Sequence, residues 1–148
     1  MNLDCDQGGT SIMARATEAL KPISTVWEWQ MMGRCRGGTG SQFFHPDEDL
    51  GRISRKLREA AAKRVCGTCP VRAECAAHAL AVGEDYGVWG GFTERERTRL
   101  RDLGWEDAVV DGGRRANVSR LERRLAMADA RAREDRSQAV VPRAQAAA

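Results

Sequence analysis

The chain has 148 residues, enough for one domain with extensions; 42% of them are hydrophobic, but only 5% are aromatic. The net charge of +3 is uneven, because residues 111–148 carry nine arginines against five acidic residues, while the preceding residues are close to neutral. No apolar stretch reaches the roughly 18 residues of a membrane-spanning helix, and the amino terminus lacks the apolar run of a secretory signal. We therefore expect a cytoplasmic protein whose small core needs a metal or another staple.

The first predicted elements precede a Gly-rich loop. Residues 1–22 have no sustained hydrophobic period, so we predict a disordered arm. A short capped helix is predicted from about residue 24 to the glycines after Cys35. The loop that follows contains two adjacent rings, Phe43 and Phe44, which we expect to anchor in a core or in a partner.

Two further helices carry most of the remaining apolar residues. Apolar residues at helical spacing predict one helix from Pro46 to Val65. Pro70 suits the first turn of the next helix, since its missing N–H would be unpaired there, and that helix is predicted to end at Gly83.

Two capping-box patterns predict the last helices. Thr93 and Glu96 predict a helix through Leu103, and Ser119 with Glu122 predicts a helix lasting to about Arg136. No segment alternates convincingly with a period of two, so the predicted fold is all-α.

The predicted organisation has three parts. Residues 1–22 form the arm, residues 23–105 form a small helical domain around the cysteines, and residues 106–148 form a basic, Arg-rich helical extension with a frayed C-terminus.

Three of the five cysteines form a C-x2-C-x5-C group, at Cys66, Cys69 and Cys75. In a reducing cytoplasm such a group is typical of metal binding or redox chemistry rather than structural disulfides. A thioredoxin-like dithiol at Cys66 and Cys69 would require a strand-to-helix turn, and no strand is predicted.

A metal site would take its fourth ligand from Cys35. Structural zinc sites use four ligands tetrahedrally, usually in two short pairs, whereas three close cysteines with a distant fourth are more typical of iron–sulfur sites. Spacing favours iron–sulfur and leaves zinc and the dithiol open. We expect Cys5 to be a free thiol, His78 to be a helix residue rather than a ligand, and His45 to be a poor alternative ligand for zinc.

A glycine turn follows at YGVWGG, residues 86–91. Gly87, Gly90 and Gly91 around Trp89 indicate tight or left-handed backbone positions that hold the indole in place. Such a Trp either plugs the protein's own core or anchors a partner. The residues alone favour the core plug.

Taken together, these motifs identify a resemblance. The lone Cys35, the C-x2-C-x5-C group, the G-V-W-G-G turn and the basic C-terminus resemble the WhiB-like regulators of actinobacteria and their phages. The resemblance covers roughly residues 24–103, and the segments VWEWQ, CRG, FFHP and CAAHALAVGEDYGVWGG are most similar to the WhiD branch.

The resemblance implies a transcriptional regulator rather than an enzyme. It implies a [4Fe–4S] cluster, sensitive to oxygen and nitric oxide, whose ligands are Cys35, Cys66, Cys69 and Cys75. It also implies binding to the C-terminal region of the primary sigma factor of RNA polymerase, which reverses the preference for a core plug. The residues assigned to that contact are Trp89, Gly87, Gly90, Gly91, Phe43 and Phe44. The alternative function is a thiol–disulfide oxidoreductase or zinc-binding protein that uses Cys66 and Cys69.

The chain departs from the family after the last motif. Family members usually end soon after the helix that follows the glycine turn, whereas about 45 further residues follow here. We hypothesise that this extension contacts DNA through its arginines. The arginines concerned are Arg114 and Arg115, for a minor groove, and Arg120, Arg123, Arg124, Arg131 and Arg133, for phosphates. The alternative is an amphipathic helix that docks Val118, Leu121 and Leu125 on the domain or on a partner.

Overall fold

The structure is a computed structural model that describes residues 27–37, 40–44 and 51–140. The predicted arm, Cys5 and His45 lie outside these residues. The described α-helices are α1 (Arg52–Gly67), α2 (Arg72–Val82), α3 (Glu94–Leu103) and α4 (Val118–Val140). The two strands are β1 (Val109–Val110) and β2 (Arg115–Ala116). Within the described ranges, no helix combines the length and the apolar character that crossing a bilayer requires.

The segment before α1 differs from the prediction. Instead of one helix that ends after Cys35, it contains short 3₁₀ helices at Glu28–Met32, Arg34–Gly37 and Gly40–Gln42. Gly33 separates the first two because its ψ of 126° is extended rather than helical. The start of the predicted helix, before residue 27, and the start of the one predicted from Pro46 lie outside the described residues.

Two predicted helix ends are confirmed. Helix α2 ends at Gly83, whose φ of 73° is left-handed and whose N–H donates to the carbonyl of Ala79. Helix α3 starts at the predicted capping box, in which the Thr93 hydroxyl accepts from the N–H of Glu96 and the Glu96 carboxylate accepts from the N–H of Thr93.

The second predicted capping box is wrong. Helix α4 begins at Val118, so Ser119 lies inside it, and the side-chain oxygen of Asn117 accepts from the N–H of Arg120 at 3.0 Å. Asn at an N-cap position satisfies the same unpaired donor that Ser would have satisfied. The helix continues to Val140, beyond the predicted end near Arg136.

A small hairpin makes the fold mostly helical rather than all-α. Strands β1 and β2 are antiparallel, with Val109 opposite Ala116 and Val110 opposite Arg115. Each strand has two residues, too few to show an alternating pattern in the sequence. The hairpin connects the 3₁₀ helix Glu106–Ala108 to α4.

The main core crosses the predicted boundary at residue 105. One cluster joins α2, the end of the glycine turn, α3, the hairpin and α4. Its buried members are Ala76, Ala77, Leu80, Phe92, Leu100, Ala108, Ala116, Leu121 and Leu125. The amphipathic stripe of α4 therefore docks on the domain, as the packing alternative predicted.

A second, smaller core positions the cysteines. It consists of Phe43, Ala62, Cys66 and Val88, with Val65 packed against it. The N–H of Val88 donates to the carbonyl of Phe43 at 2.9 Å, which ties the glycine turn to the segment before α1. Cys66 thus lies where three parts of the chain meet.

Candidate metal centre

The structure brings the four predicted ligands to one cavity of about 280 Å³. Cys35 reaches it from an exposed 3₁₀ helix, Cys66 from the buried end of α1, Cys69 from the turn after α1, and Cys75 from the start of α2. All four are free thiols. The cavity is otherwise lined mainly by apolar side chains, including Phe43 and the rings before α1.

The C-x2-C segment makes a tight connection between α1 and α2. The N–H of Cys69 donates to the carbonyl of Cys66 at 3.1 Å, and the N–H of Arg72 donates to the carbonyl of Cys69 at 3.3 Å. One turn of α2 later, the N–H of Cys75 donates to the carbonyl of Val71 at 3.0 Å. These bonds fix the backbone positions of three of the four cysteines relative to two helices.

The glycine turn contacts two of these sulfurs through its backbone. The N–H of Gly90 donates to Sγ of Cys75 at 3.1 Å, and the N–H of Gly91 bonds to the Cys66 thiol. Both glycines have left-handed φ angles, 56° and 85°. A Cβ on Gly90 would lie 2.6 Å from Cβ of Ala76, so this close approach to α2 requires glycine.

Burial governs the protonation of the two inner thiols. Burial raises the pKa of Cys75 to about 12, although the N–H of Gly90 opposes the rise and the neighbouring cysteines add to it. Burial also raises the pKa of Cys66, against the N–H of Gly91. Thiols of this kind lose their protons when a metal takes the proton's place.

Two cationic side chains line the cavity, Arg36 and Arg72. Arg36 lies beside Cys35 in the chain and donates to Sδ of Met31. The charge of Arg72 lowers the pKa of Cys66, in opposition to burial. Both guanidinium groups are therefore placed to offset negative charge on the sulfurs.

Arg97, a residue that no sequence motif marks, binds the backbone of the glycine turn. Its side chain is 0% exposed and donates five hydrogen bonds to backbone carbonyls around the turn. The acceptors, at 2.7–3.2 Å, are the carbonyls of Glu84, Tyr86, Gly87 and Phe92. Burial lowers the pKa of Arg97. The only signal in the sequence is its spacing of three from buried Leu100.

Trp89 lies on the other side of the turn, half-buried in an aromatic cluster. The cluster comprises Trp27, Trp29, Phe44, His78 and Trp89, with ring centroids 5.0–6.4 Å apart in the contacting pairs. The indole N–H donates to the carbonyl of Tyr86 at 2.9 Å. Of the two adjacent phenylalanines, Phe44 is 52% exposed and belongs to this cluster, whereas Phe43 is 6% exposed and belongs to the smaller core.

The arginines of the extension fall into two groups. Arg115 pairs with Glu74 at 3.1 Å, and Arg120 and Arg124 share Asp107 at 2.6 and 2.8 Å. Arg114, Arg123, Arg131 and Arg133 form no ion pair within the described part of the chain. Most of the predicted DNA-binding arginines nearest the domain thus stabilise the hairpin and α4.

Among the described residues, no three Cys, His, Asp or Glu side chains are close enough to hold a single metal ion. His78 lies on α2 and packs within the aromatic cluster.

Comparison with known proteins identifies the family. The family model described as "Transcription factor WhiB" matches residues 29–100. Transcriptional regulator WhiD of Streptomyces coelicolor is 58% identical over 79 residues, which are 53% of this chain and 70% of the relative. Redox-responsive transcriptional regulator WhiB3 of Mycolicibacterium smegmatis is 54% identical over 83 residues, 56% of this chain and 85% of the relative. Redox- and pH-responsive transcriptional regulator WhiB3 of Mycobacterium tuberculosis is 53% identical over 79 residues, 53% of this chain and 76% of the relative. The chain belongs to the WhiB family of transcriptional regulators, in its WhiD-like branch.

Proposed function

We propose that this protein regulates transcription in response to redox state and nitric oxide by means of a [4Fe–4S] cluster bound to Cys35, Cys66, Cys69 and Cys75. The observation that carries the proposal is the convergence of four free thiols on one cavity of about 280 Å³. The WhiB3 relatives are named redox-responsive transcriptional regulators, which supports the proposed redox response. When bound, the cluster supplies a group that exchanges electrons and reacts with small oxidants.

The spacing of the ligands along the chain favours a cluster over a single zinc ion, because three close cysteines with a distant fourth are more typical of iron–sulfur sites. Zn–S bonds of about 2.3 Å in a tetrahedron bring the sulfurs within about 3.8 Å of one another. A four-iron cluster takes one thiolate on each iron, so its ligands lie around a larger body.

The charges around the cavity also suit a cluster. Four thiolates and a [4Fe–4S]²⁺ core have a net charge of about −2. Arg36 and Arg72 line the cavity with two positive charges, and the N–H groups of Gly90 and Gly91 point at two of the sulfurs. Hydrogen bonds to the sulfurs and local charge are the means by which a protein sets the potential of such a cluster.

A dithiol oxidoreductase suits the site less well. A reactive cysteine is an accessible thiolate with a lowered pKa. Cys66 is buried, and burial raises the pKa of its thiol.

We further propose that the aromatic cluster binds the C-terminal region of the primary sigma factor. Trp89 is fixed by its bond to Tyr86, and its neighbours Phe44 and Tyr86 are 52% and 66% exposed, which leaves an apolar surface rich in rings beside the glycine turn. Large rigid aromatic side chains are frequent binding hot spots. Phe43 supports this surface from within. The same turn also contacts Cys66 and Cys75. Loss of the iron–sulfur cluster would therefore loosen the aromatic surface that binds sigma factor.

DNA binding by the extension remains part of the proposal. The cationic groups available for phosphates are those without ion pairs among the described residues, chiefly Arg114 on the hairpin and Arg123, Arg131 and Arg133 on α4. Arg120 and Arg124 would first have to leave Asp107.

Anaerobic purification tests the cluster. We expect a brown protein with about four irons per chain and an absorption band at about 400 nm. The Cys69→Ser variant should lose the iron, and Cys5→Ser, which changes a cysteine outside the proposed ligand set, should keep it. A colourless wild-type protein with one zinc would contradict the proposal.

Co-purification with sigma factor tests the aromatic surface. We expect Trp89→Ala to keep the absorption band but to lose sigma factor, whereas Met127→Ala on the exposed face of α4 should retain both. If Trp89→Ala loses the iron–sulfur cluster as well, the indole acts as a plug of the protein's own core and not as the contact with sigma factor.

A further inference from the structure

Arg72 connects the cysteine cavity to the C-terminal helix. Its side chain lines the cavity, its Nε donates to the carbonyl of Gly90 at 3.0 Å, and its Nη2 donates to the carboxylate of Glu122 on α4 at 2.6 Å. A Cβ on Gly91 would lie 2.7 Å from Nη2, so the guanidinium lies directly against the glycine turn. The group is thus held between the turn and α4.

The turn that Arg72 holds is the one that bonds to the sulfurs. Gly90 accepts from Arg72 through its carbonyl and donates to Sγ of Cys75 through its N–H, at 3.1 Å. The N–H of the next residue, Gly91, lowers the pKa of the Cys66 thiol. A continuous series of hydrogen bonds therefore leads from the sulfur of Cys75 through Gly90 and Arg72 to Glu122.

We propose that Glu122 of α4, acting through Arg72, sets the reduction potential and the persistence of the bound cluster. The inference rests on the proposed function, in that it requires the cluster to be bound by the four cysteines. Glu122 lies outside the segment that the family model matches, residues 29–100. The extension thereby becomes a positioning element for the cluster as well as a candidate DNA contact.

Two effects of Glu122 are separable by substitution. Its negative charge offsets the positive charge of Arg72, so removing only the charge leaves the sulfurs in a more positive field, which favours the reduced cluster. Glu122→Gln makes this change and keeps an oxygen that can accept from Arg72. Glu122→Ala also removes the acceptor, which frees Arg72 from α4 and loosens its hold on Gly90.

Asp129 provides a matched control on the same helix. It pairs with Arg99 of α3, and its side chain is 49% exposed, as is that of Glu122. Asp129→Asn therefore removes one carboxylate charge from α4 at equal exposure. Neither Arg99 nor Asp129 lines the cysteine cavity.

The first test measures the reduction potential of the anaerobically purified protein. We expect Glu122→Gln to raise it by an amount equivalent to about a threefold change in the equilibrium constant for one-electron reduction, about 28 mV. Asp129→Asn should shift it by less than about a third of that amount. Glu122→Gln should have no effect on the potential when Arg72 is already replaced by Gln, because the effect passes through Arg72.

The second test measures persistence and local stability. We expect Glu122→Ala to lose its visible absorption in air at least about twofold faster than Asp129→Ala. Its Gly90 and Gly91 amides should also exchange hydrogen faster than those of Asp129→Ala, because the hydrogen bonds of the glycine turn open more often. Equal behaviour of the two variants, in a protein that does hold the cluster, overturns the inference while the proposed function stands. If Arg72→Gln fails to bind an iron–sulfur cluster, the comparison of the Glu122 variants with the Asp129 variants is sufficient to test the inference. A wild-type protein without a cluster overturns both.

Discussion

Gly90 is the position where a single methyl group tests the geometry of the site most directly. Its φ of 56° is left-handed, and an added Cβ would lie 2.6 Å from Cβ and 2.7 Å from Cα of Ala76. These are contacts with the backbone of α2 and with a side chain too short to move aside. Gly90→Ala must therefore either displace the turn from α2 or strain both.

The magnitude follows from two contributions. A non-glycine residue in the left-handed region costs about 1–2 kcal/mol, and overpacking a filled site costs a further 1–3 kcal/mol or so. Gly112 isolates the first contribution, because its φ is 66° and an added Cβ there meets nothing within 4 Å. Gly90→Ala should thus be less stable than Gly112→Ala by about 1–3 kcal/mol.

Thermal unfolding followed by circular dichroism, under anaerobic conditions, measures the difference. For a folded unit of this size, 1 kcal/mol corresponds to at least about 4 °C in Tm, so Gly90→Ala should melt at least that far below Gly112→Ala. It should also hold less iron, since the N–H that bonds to Cys75 moves with the turn. Equal Tm values for the two variants would show that the turn does not pack against α2 as described.

Three further predictions concern parts of the fold that support the site. Arg97→Lys should lower the free energy of unfolding by at least about 2 kcal/mol in urea titrations, because buried carbonyls that lose their donor cost about 1–3 kcal/mol each. Replacement of the exposed Arg95 by Lys should change the free energy of unfolding by less than about 0.5 kcal/mol. Equal effects of the two substitutions would contradict the buried hydrogen bonds of Arg97. Leu121→Ala should lower the free energy of unfolding by about 2–5 kcal/mol, and replacement of the exposed Met127 by Ala should lower it by less than about 0.5 kcal/mol. If Leu121→Ala left the stability unchanged, α4 would not be part of the core. The bond from Arg124 holds the pKa of Asp107 below its ordinary value of 3.8, so the folded state binds fewer protons than the unfolded state in that range. The Tm advantage of the wild type over Asp107→Asn should therefore be complete above pH 3.8 and fade as the pH falls below it; an advantage that stays constant down to about pH 2.5 would contradict the ion pair.

Local signals in the sequence were sufficient for much of the fold. The left-handed end of α2 at Gly83 and the capping box at Thr93 and Glu96 depend on residues only a few positions apart, so the sequence shows them directly. The convergence of the cysteines followed from the spacing of three of them and the resemblance of the whole pattern to a known family.

Other features depend on contacts between distant segments and leave little local trace. Arg97 stands in a run of charged residues, ERERTR, and its burial arises only because the carbonyls of a separate turn converge on it. Asn117 rather than Ser119 caps α4, because the position of the hairpin determines the residue at which the helix begins. The two adjacent phenylalanines look alike in sequence, but Phe43 is buried in the smaller core and Phe44 is exposed beside Trp89.

The shared core has a consequence for how this protein can change in evolution. Leu121 and Leu125 of α4 are packed in one cluster with Leu80 and Phe92 of the segment that matches the family, so a chain ending at residue 105 would expose apolar surface and tend to aggregate. Recombination that exchanged C-terminal segments between relatives would fail unless the facing residues changed with them. The small side chains Ala76 and Ala77 of α2 belong to the same cluster, so we expect substitutions there to covary with the residues of α4 across descendants of this chain.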